Sequence, residues 1–137
     1  MPRQLNETFI VDGPSGVLLR RVVPKRGTPY EHACTKQVYD DVAYAIEQLG
    51  NASFTMEEVR AKAGGGEEAN MPPWSQVAVA IAFLKERSCV VPGRNRKHIA
   101  ASDFVYEDAM IEYHALREKG PEEAGDLSNP EAPPAAE

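Results

Sequence analysis

Cysteine is almost missing from this 137-residue chain, which has only Cys34 and Cys89. Two thiols cannot form the framework that staples small secreted domains, so the fold must rest on an apolar core and both are expected to be reduced. Cys89 lies in an apolar run, where a free thiol acts as a small hydrophobe. No run reaches the roughly 18 apolar residues that a membrane helix needs. The opening MPRQLNETFIVDG lacks the charged-then-apolar plan of a secretory signal, so the expectation is a cytoplasmic protein with no membrane partner. An excess of positive charge is also lacking: 15 Lys and Arg stand against 21 Asp and Glu, for a net charge of −6. Residues 121–137 hold five of those acids and no base, which leaves the rest of the chain at 16 acidic to 15 basic. A nearly neutral body does not carry the broad basic footprint of a dedicated nucleic-acid binder, and only a local patch could supply one.

The usual catalytic patterns are missing as well. Gly64, Gly65 and Gly66 are followed by no Lys-Ser/Thr, so they form no phosphate loop. His32 with Cys34 and Cys89 with His98 could be imagined as a zinc site, but the spacing matches no common finger and no metal is expected. The acidic neighbours Asp40 and Asp41, Glu57 and Glu58, and Glu107 and Asp108 point about 100° apart on helices, as solvated faces or caps do rather than a catalytic dyad. A non-enzyme without cofactor follows. His32, Cys34 and His114 would reopen catalysis only if folding brought them into one cleft.

What remains is well patterned. The length suits one domain. In ETFIVDGPSGVLLRRVVP, alternation at Phe9 and Val11, the turn chemistry of DGPSG and a β-branched run over 17–23 predict an N-terminal hairpin. PKRGTPYEHAC, with two prolines and a glycine, reads as a linker. Val38, Val42, Ile46 and Leu49 then recur at helical spacing up to Gly50, and Thr55 with Glu58 makes a capping box for a short second helix. A third helix spans about 74–87, with Pro72 or Pro73 in its first turn. CVV and KHIAA flank the polar turn PGRNR as two short strands, and Ser102 or Asp103 caps a last helix closed by Gly120 and Pro121. The chain thus divides into a hairpin and linker over 1–34, a body over 35–120, and an acidic Pro/Ala/Glu tail over 121–137 that is expected to be disordered.

Over residues 35–102 this order resembles the winged helix-turn-helix superfamily. VAVAIAFLKERSCVV carries most of the likeness, with Val77, Ile81 and Leu84 where the third helix of such domains meets its core and Cys89 and Val90 where the wing begins. SFTMEEVRAKAG is similar to the strand-then-helix entry of that family. Two departures are Ser88, where a glycine commonly ends the third helix, and the long glycine-rich turn before that helix. The expected fold is therefore α+β: a winged helix-turn-helix core with an N-terminal β-hairpin and an added C-terminal helix.

The resemblance implies a third helix in the DNA major groove, with the wing on the backbone. Only Ser75 and Gln76 on the outward face of that helix could bond a base edge, whereas discrimination usually needs bidentate Arg, Lys, Asn or Gln. Val79 and Phe83 form an apolar strip there, covered either by the hairpin or last helix or by a partner. Arg94, Arg96 and Lys97, with Asn95 as a neutral donor, could hold phosphates, or could be only a solvated hairpin tip. Arg20, Arg21, Lys25 and Arg26 make a second basic group. On the last helix Val105, Ala109 and Leu116 share one side, and Phe104, Ile111 and Ala115 another that could meet a second subunit. Two expectations follow. One is a non-enzymatic regulator that contacts DNA backbone through Arg94, Asn95, Arg96 and Lys97, with Ser75 and Gln76 beside them. The other is a protein-interaction module, homodimeric or bound to another protein, that uses Val79, Phe83, Phe104 and Ile111 and has no nucleic-acid partner.

Overall fold

The alternation at the N-terminus builds a sheet rather than a lone hairpin. In the computed structural model, which describes residues 5–128, β1 (Leu5–Val11) pairs antiparallel with β2 (Leu18–Pro24), and β2 pairs with β3 (Tyr30–Cys34). Phe9, Val11, Leu18, Val22 and Cys34 are buried. The β1–β2 turn is closed by Asp12, whose carboxylate accepts the Ser15 hydroxyl at 2.7 Å and the Ser15 N–H at 3.1 Å. Those two bonds, the hydroxyl's first, hold the carboxyl below its ordinary range. The predicted linker is therefore only residues 25–29. Pro24 ends β2 and Pro29 precedes β3, positions where a missing N–H costs no ladder bond inside a strand.

The helices start and stop where local chemistry tells them to. The Thr35 hydroxyl accepts the Val38 N–H at 3.2 Å to cap α1 (Lys36–Leu49), and Gly50 ends it at φ 75°. Thr55 and Glu58 form a reciprocal capping box on α2 (Met56–Ala63), with bonds of 2.8 and 3.1 Å. Pro73 stands just before α3 (Trp74–Glu86). Its far end closes in a Schellman arrangement, in which Ser88 N–H reaches Lys85 O at 3.1 Å and Cys89 N–H reaches Leu84 O at 2.8 Å. Ser88 sits there at φ 65°, a left-handed backbone that favours glycine. The chain then forms β4 (Val90–Pro92) and β5 (His98–Ala100), an antiparallel pair. Phe54, between α1 and α2, exchanges two backbone bonds with His98, at 2.8 and 2.7 Å, and so adds a single-residue third rung.

Ser102 turns the chain into α4 (Val105–Ser128) by accepting the Phe104 N–H at 3.0 Å and donating to Asp108 at 2.8 Å. Val105, Ala109, Tyr113 and Leu116 recur at helical spacing and are buried. Helix α4 does not stop at Gly120 and Pro121 as expected. The tail expected to be disordered begins inside it, and residues 129–137 lie outside the described residues.

One core joins these parts. The Phe9 ring of β1 lies 5.2 Å from Phe83 of α3, Tyr39 of α1 lies 6.0 Å from Phe83, and Tyr113 of α4 lies 5.4 Å from Tyr39. The two buried tyrosines are satisfied, because Tyr39 donates to Ala109 O at 2.6 Å and Tyr113 to Gly16 O at 2.7 Å. Burial above all pushes the Tyr39 hydroxyl well above its ordinary pKa, so it stays a donor. Among the described residues the fold is α+β, with four α-helices, a three-stranded antiparallel sheet and a two-stranded sheet.

Candidate nucleic-acid interface

The strand pair β4–β5 is anchored at its base and open at its tip. Cys89 and Val90 are buried in the core, whereas Arg94, Asn95 and Arg96 are exposed and Lys97 is half-buried. Gly93 N–H to Lys97 O at 2.8 Å and Lys97 N–H to Arg94 O at 3.0 Å pinch the tip into one tight turn over Arg94–Arg96. A side chain at Gly93 would meet Ile99 Cγ1 at 3.0 Å, so glycine allows the close approach. Asn95 and Arg96 occupy left-handed backbone at φ 55° and 64°. Asn tolerates this and Arg does so at a cost of roughly 1 kcal/mol. Among the described residues no carboxylate forms an ion pair with Arg94, Arg96 or Lys97. The Arg94 and Arg96 charges are therefore open to solvent and unpaired among the described residues.

His98 adds no charge at neutral pH. Burial first, and the Lys85 ammonium second, hold its imidazole below the ordinary value of 6.5. Its Nδ1 is buried, with no hydrogen-bond partner among the described residues.

The α3 residues expected beside the tip do not assemble a reading surface. Ser75 is exposed on the first turn, but the Gln76 side-chain oxygen accepts the Thr35 N–H at 3.0 Å and so fastens α3 to the start of α1. Val79 and Phe83 are fully buried, because β1–β3 lies over them. Neither can belong to an interface as expected; the covering sheet explains the apolar strip. The outward stripe of α3 is left with Ser75, Ala78, Ala82, Lys85 and Glu86. Lys85 escapes a reading centred on the first turn, although its spacing from Ala78 and Ala82 puts it on that stripe. At the other end of α3 the Arg60 guanidinium lies 4.7 Å over the Trp74 ring, and its Nε donates to Pro72 O at 2.6 Å. This stacked pair also went unseen in the sequence, where its only signal is one Trp behind a Pro-Pro and an Arg on the preceding helix.

The second basic group is split. Arg20 is paired with Glu7, and Arg21 with Glu31 at 2.9 Å, across the sheet. Lys25 and Arg26 are exposed in the β2–β3 loop, and among the described residues neither forms an ion pair. On α4 the second apolar grouping is open, with Phe104 64% and Ile111 63% exposed and Ala115 exposed. A shallow groove of about 480 Å³ between α1 and α2 is lined by Gln48, Leu49, Glu58, Lys62, Gly65 and Gly66 and takes no residue from the tip.

The catalytic and metal candidates are not brought together. His32 is exposed on β3 against the Tyr30 ring, and His114 is exposed on α4. Cys34 and Cys89 are free and buried, and burial is the main cause that pushes their thiols up to about 12 and about 11. Protonated thiols of this kind are poor nucleophiles and poor metal ligands. Among the described residues no three His, Cys, Asp or Glu side chains are grouped to hold a metal ion, and no helix is long and apolar enough to cross a membrane. Compared with family models, curated proteins and solved structures, the chain finds no match in any of the three.

Proposed function

We propose that this protein is a non-enzymatic, cytoplasmic domain of winged-helix type that grips nucleic-acid backbone through the β4–β5 tip without reading sequence. The order α1, Phe54 rung, α2, α3, β4, β5 supports the winged-helix reading. The observation that carries the function is the tip itself, on which Arg94, Asn95 and Arg96 stand exposed on a pinched, partly left-handed turn with no acidic partner among the described residues. With Lys97 beside them, Arg94 and Arg96 make three cations, which neutralise phosphates and so position a domain, while sequence needs base-edge donors that α3 lacks. Burial of Val79 and Phe83 under the sheet argues against major-groove reading by α3.

A fluorescent duplex titrated at rising salt tests the reading. Binding should weaken steeply with salt, differ little between sequences, and lose about 2.7 from the log–log salt slope in a triple variant Arg94→Ala, Arg96→Ala, Lys97→Ala. Absence of binding at low salt refutes it. A second reading, a docking module for a protein partner, draws on the open Phe104 and Ile111 face of α4. It predicts association that survives salt and is lost when Ile111 becomes Glu.

A further inference from the structure

Strand β3 ends the N-terminal sheet with an open edge. In the order β1-β2-β3, helix α4 packs along β1 and is tied beyond it to Gly13 and Gly16, whereas four of the five β3 residues, Tyr30 to Ala33, are exposed. Asp12 N–H donates to Val17 O at 2.9 Å, so Val17 turns its peptide groups towards β1 and Leu18 turns its own towards β3. Leu18 lies opposite Cys34, and alternation gives Cys34, His32 and Tyr30 the bonds to β2, while the N–H and C=O of Glu31 and Ala33 point away from the sheet. Thr35, next in that outward series, has its N–H taken by the Gln76 side chain at 3.0 Å. Pro29, at the other end, has no N–H. The open stretch is therefore two donors and two acceptors centred on His32, and among the described residues nothing bonds them. The usual guards of an edge are lacking, since no proline, lysine or bulge interrupts β3 and the Glu31 charge is matched by Arg21 at 2.9 Å.

We infer that this edge pairs with the same edge of a second copy of the chain, antiparallel about His32, to make one continuous sheet from the two three-stranded ones. Glu31 of each copy then stands opposite Ala33 of the other and exchanges both bonds with it, so every open group is used. No other register does this. A slide by one residue sets Glu31 against His32, whose groups already serve β2. A slide by two opposes Glu31 to Glu31, which are like charges, and brings Ala33 to Pro29, which has no N–H to give. The opposite slide sets Glu31 against Thr35, whose N–H Gln76 holds. A foreign strand, stopped by the same Pro29 and Gln76, gains no bond that a second copy does not give. In this register the two His32 meet as a non-hydrogen-bonded pair with Cα atoms about 4.5 Å apart. The Tyr30 ring, 42% exposed and 5.1 Å from His32, gains cover there.

Light scattering and analytical ultracentrifugation on the full chain test the pairing, with a mass that should rise from one chain to two as concentration increases. Ala33→Pro removes an outward N–H from each copy and leaves the bonds to β2, as an edge position allows. It should weaken dimerisation about 25-fold, at about fivefold for each bond lost. His32→Arg, which opposes like charges at the centre, should weaken it too, with both folds checked by circular dichroism. Cys34 and Cys89 are buried, so His32→Cys under oxidised glutathione should give a disulfide-linked dimer through the new thiol. Glu31→Cys should not, because the two Glu31 Cα atoms are about 8 Å apart in this register. A chain that stays single up to about 1 mM refutes the pairing. A dimer that survives Ala33→Pro and dissolves in Phe104→Glu with Ile111→Glu places the contact on α4 and overturns it. Cross-linking through Glu31→Cys but not His32→Cys overturns the register. Should Ala33→Pro fail to fold, the His32→Cys cross-link decides alone.

Discussion

Ser88 is the place where one atom too many can be measured. It occupies the left-handed residue that ends α3, with the two closing bonds of the Schellman arrangement on either side of it. Among the described residues its hydroxyl makes no hydrogen bond, so the side chain contributes only its Cβ strain. An L residue there costs about 1–2 kcal/mol, and glycine returns about 0.5–1 kcal/mol of that through its freer unfolded chain. Ser88→Gly should therefore stabilise the protein by about 0.5–1 kcal/mol. In a urea titration with a slope of about 1.5 kcal/mol/M, the midpoint rises by roughly 0.3–0.7 M with the slope unchanged. Ser88→Ala, which keeps the Cβ, should stay within about 0.3 kcal/mol of the parent. A glycine variant no more stable than the alanine one would refute the strain argument. A glycine variant that also binds duplex more weakly would show the strained serine fixing the direction in which β4 leaves the helix.

Other outcomes follow from the same packing. Phe83→Ala should lose about 3–5 kcal/mol in urea titration, because the ring is fully buried between Phe9 and Tyr39; near-parent stability would contradict a sheet seated on α3. Tyr113→Phe should cost about 1–2 kcal/mol by leaving Gly16 O unbonded, and raise amide exchange in the 12–17 turn. His98 has a folded pKa below 6.5, so the unfolded chain protonates first; its contribution is complete above pH 6.5 and declines as pH falls towards the folded value. Unfolding midpoints measured from pH 8 to 4 should therefore drop less on the acid side in His98→Gln than in the parent. Phe104→Glu with Ile111→Glu should leave the thermal midpoint within about 2 °C, as both residues are more than half exposed, and light scattering on the same pair reports whether that face joins two copies.

The helices and the β4–β5 pair were legible because their signals are local: a cap at Thr35, a capping box at Thr55 and Glu58, a repeat at Val77, Ile81 and Leu84, a glycine in the tip. Strand β3 was not, since four of its five residues are exposed and alternation never develops; the ladder to β2 holds it, and register is invisible in composition. The same register decides the basic group, as Arg20 and Arg21 meet Glu7 and Glu31 only across strands. The apolar strip at Val79 and Phe83 could be seen in the sequence, but what covers it is set by Phe9, far away in the chain. Of the expected interface the exposed tip and the open face of α4 were readable, because turn residues and helical spacing announce exposure directly. The bond that Gln76 accepts could not be read there, because its partner, a backbone N–H of Thr35, leaves no mark in the sequence.

The ties at the Asp12–Ser15 turn have a consequence in time. Tyr113 donates to Gly16 O across 97 residues, and Arg117 to Gly13 O at 2.7 Å across 104. Loops of that size close slowly, and the first strands leave the ribosome long before α4 exists to receive them. During synthesis Phe9 stays unsheltered until Phe83 of α3 exists, and the 12–17 turn waits longer, until α4 brings Tyr113 and Arg117 to it. A chain cut short before Tyr113 keeps α3 on its sheet but lacks both ties to the 12–17 turn, which becomes the readiest place for proteases to cut.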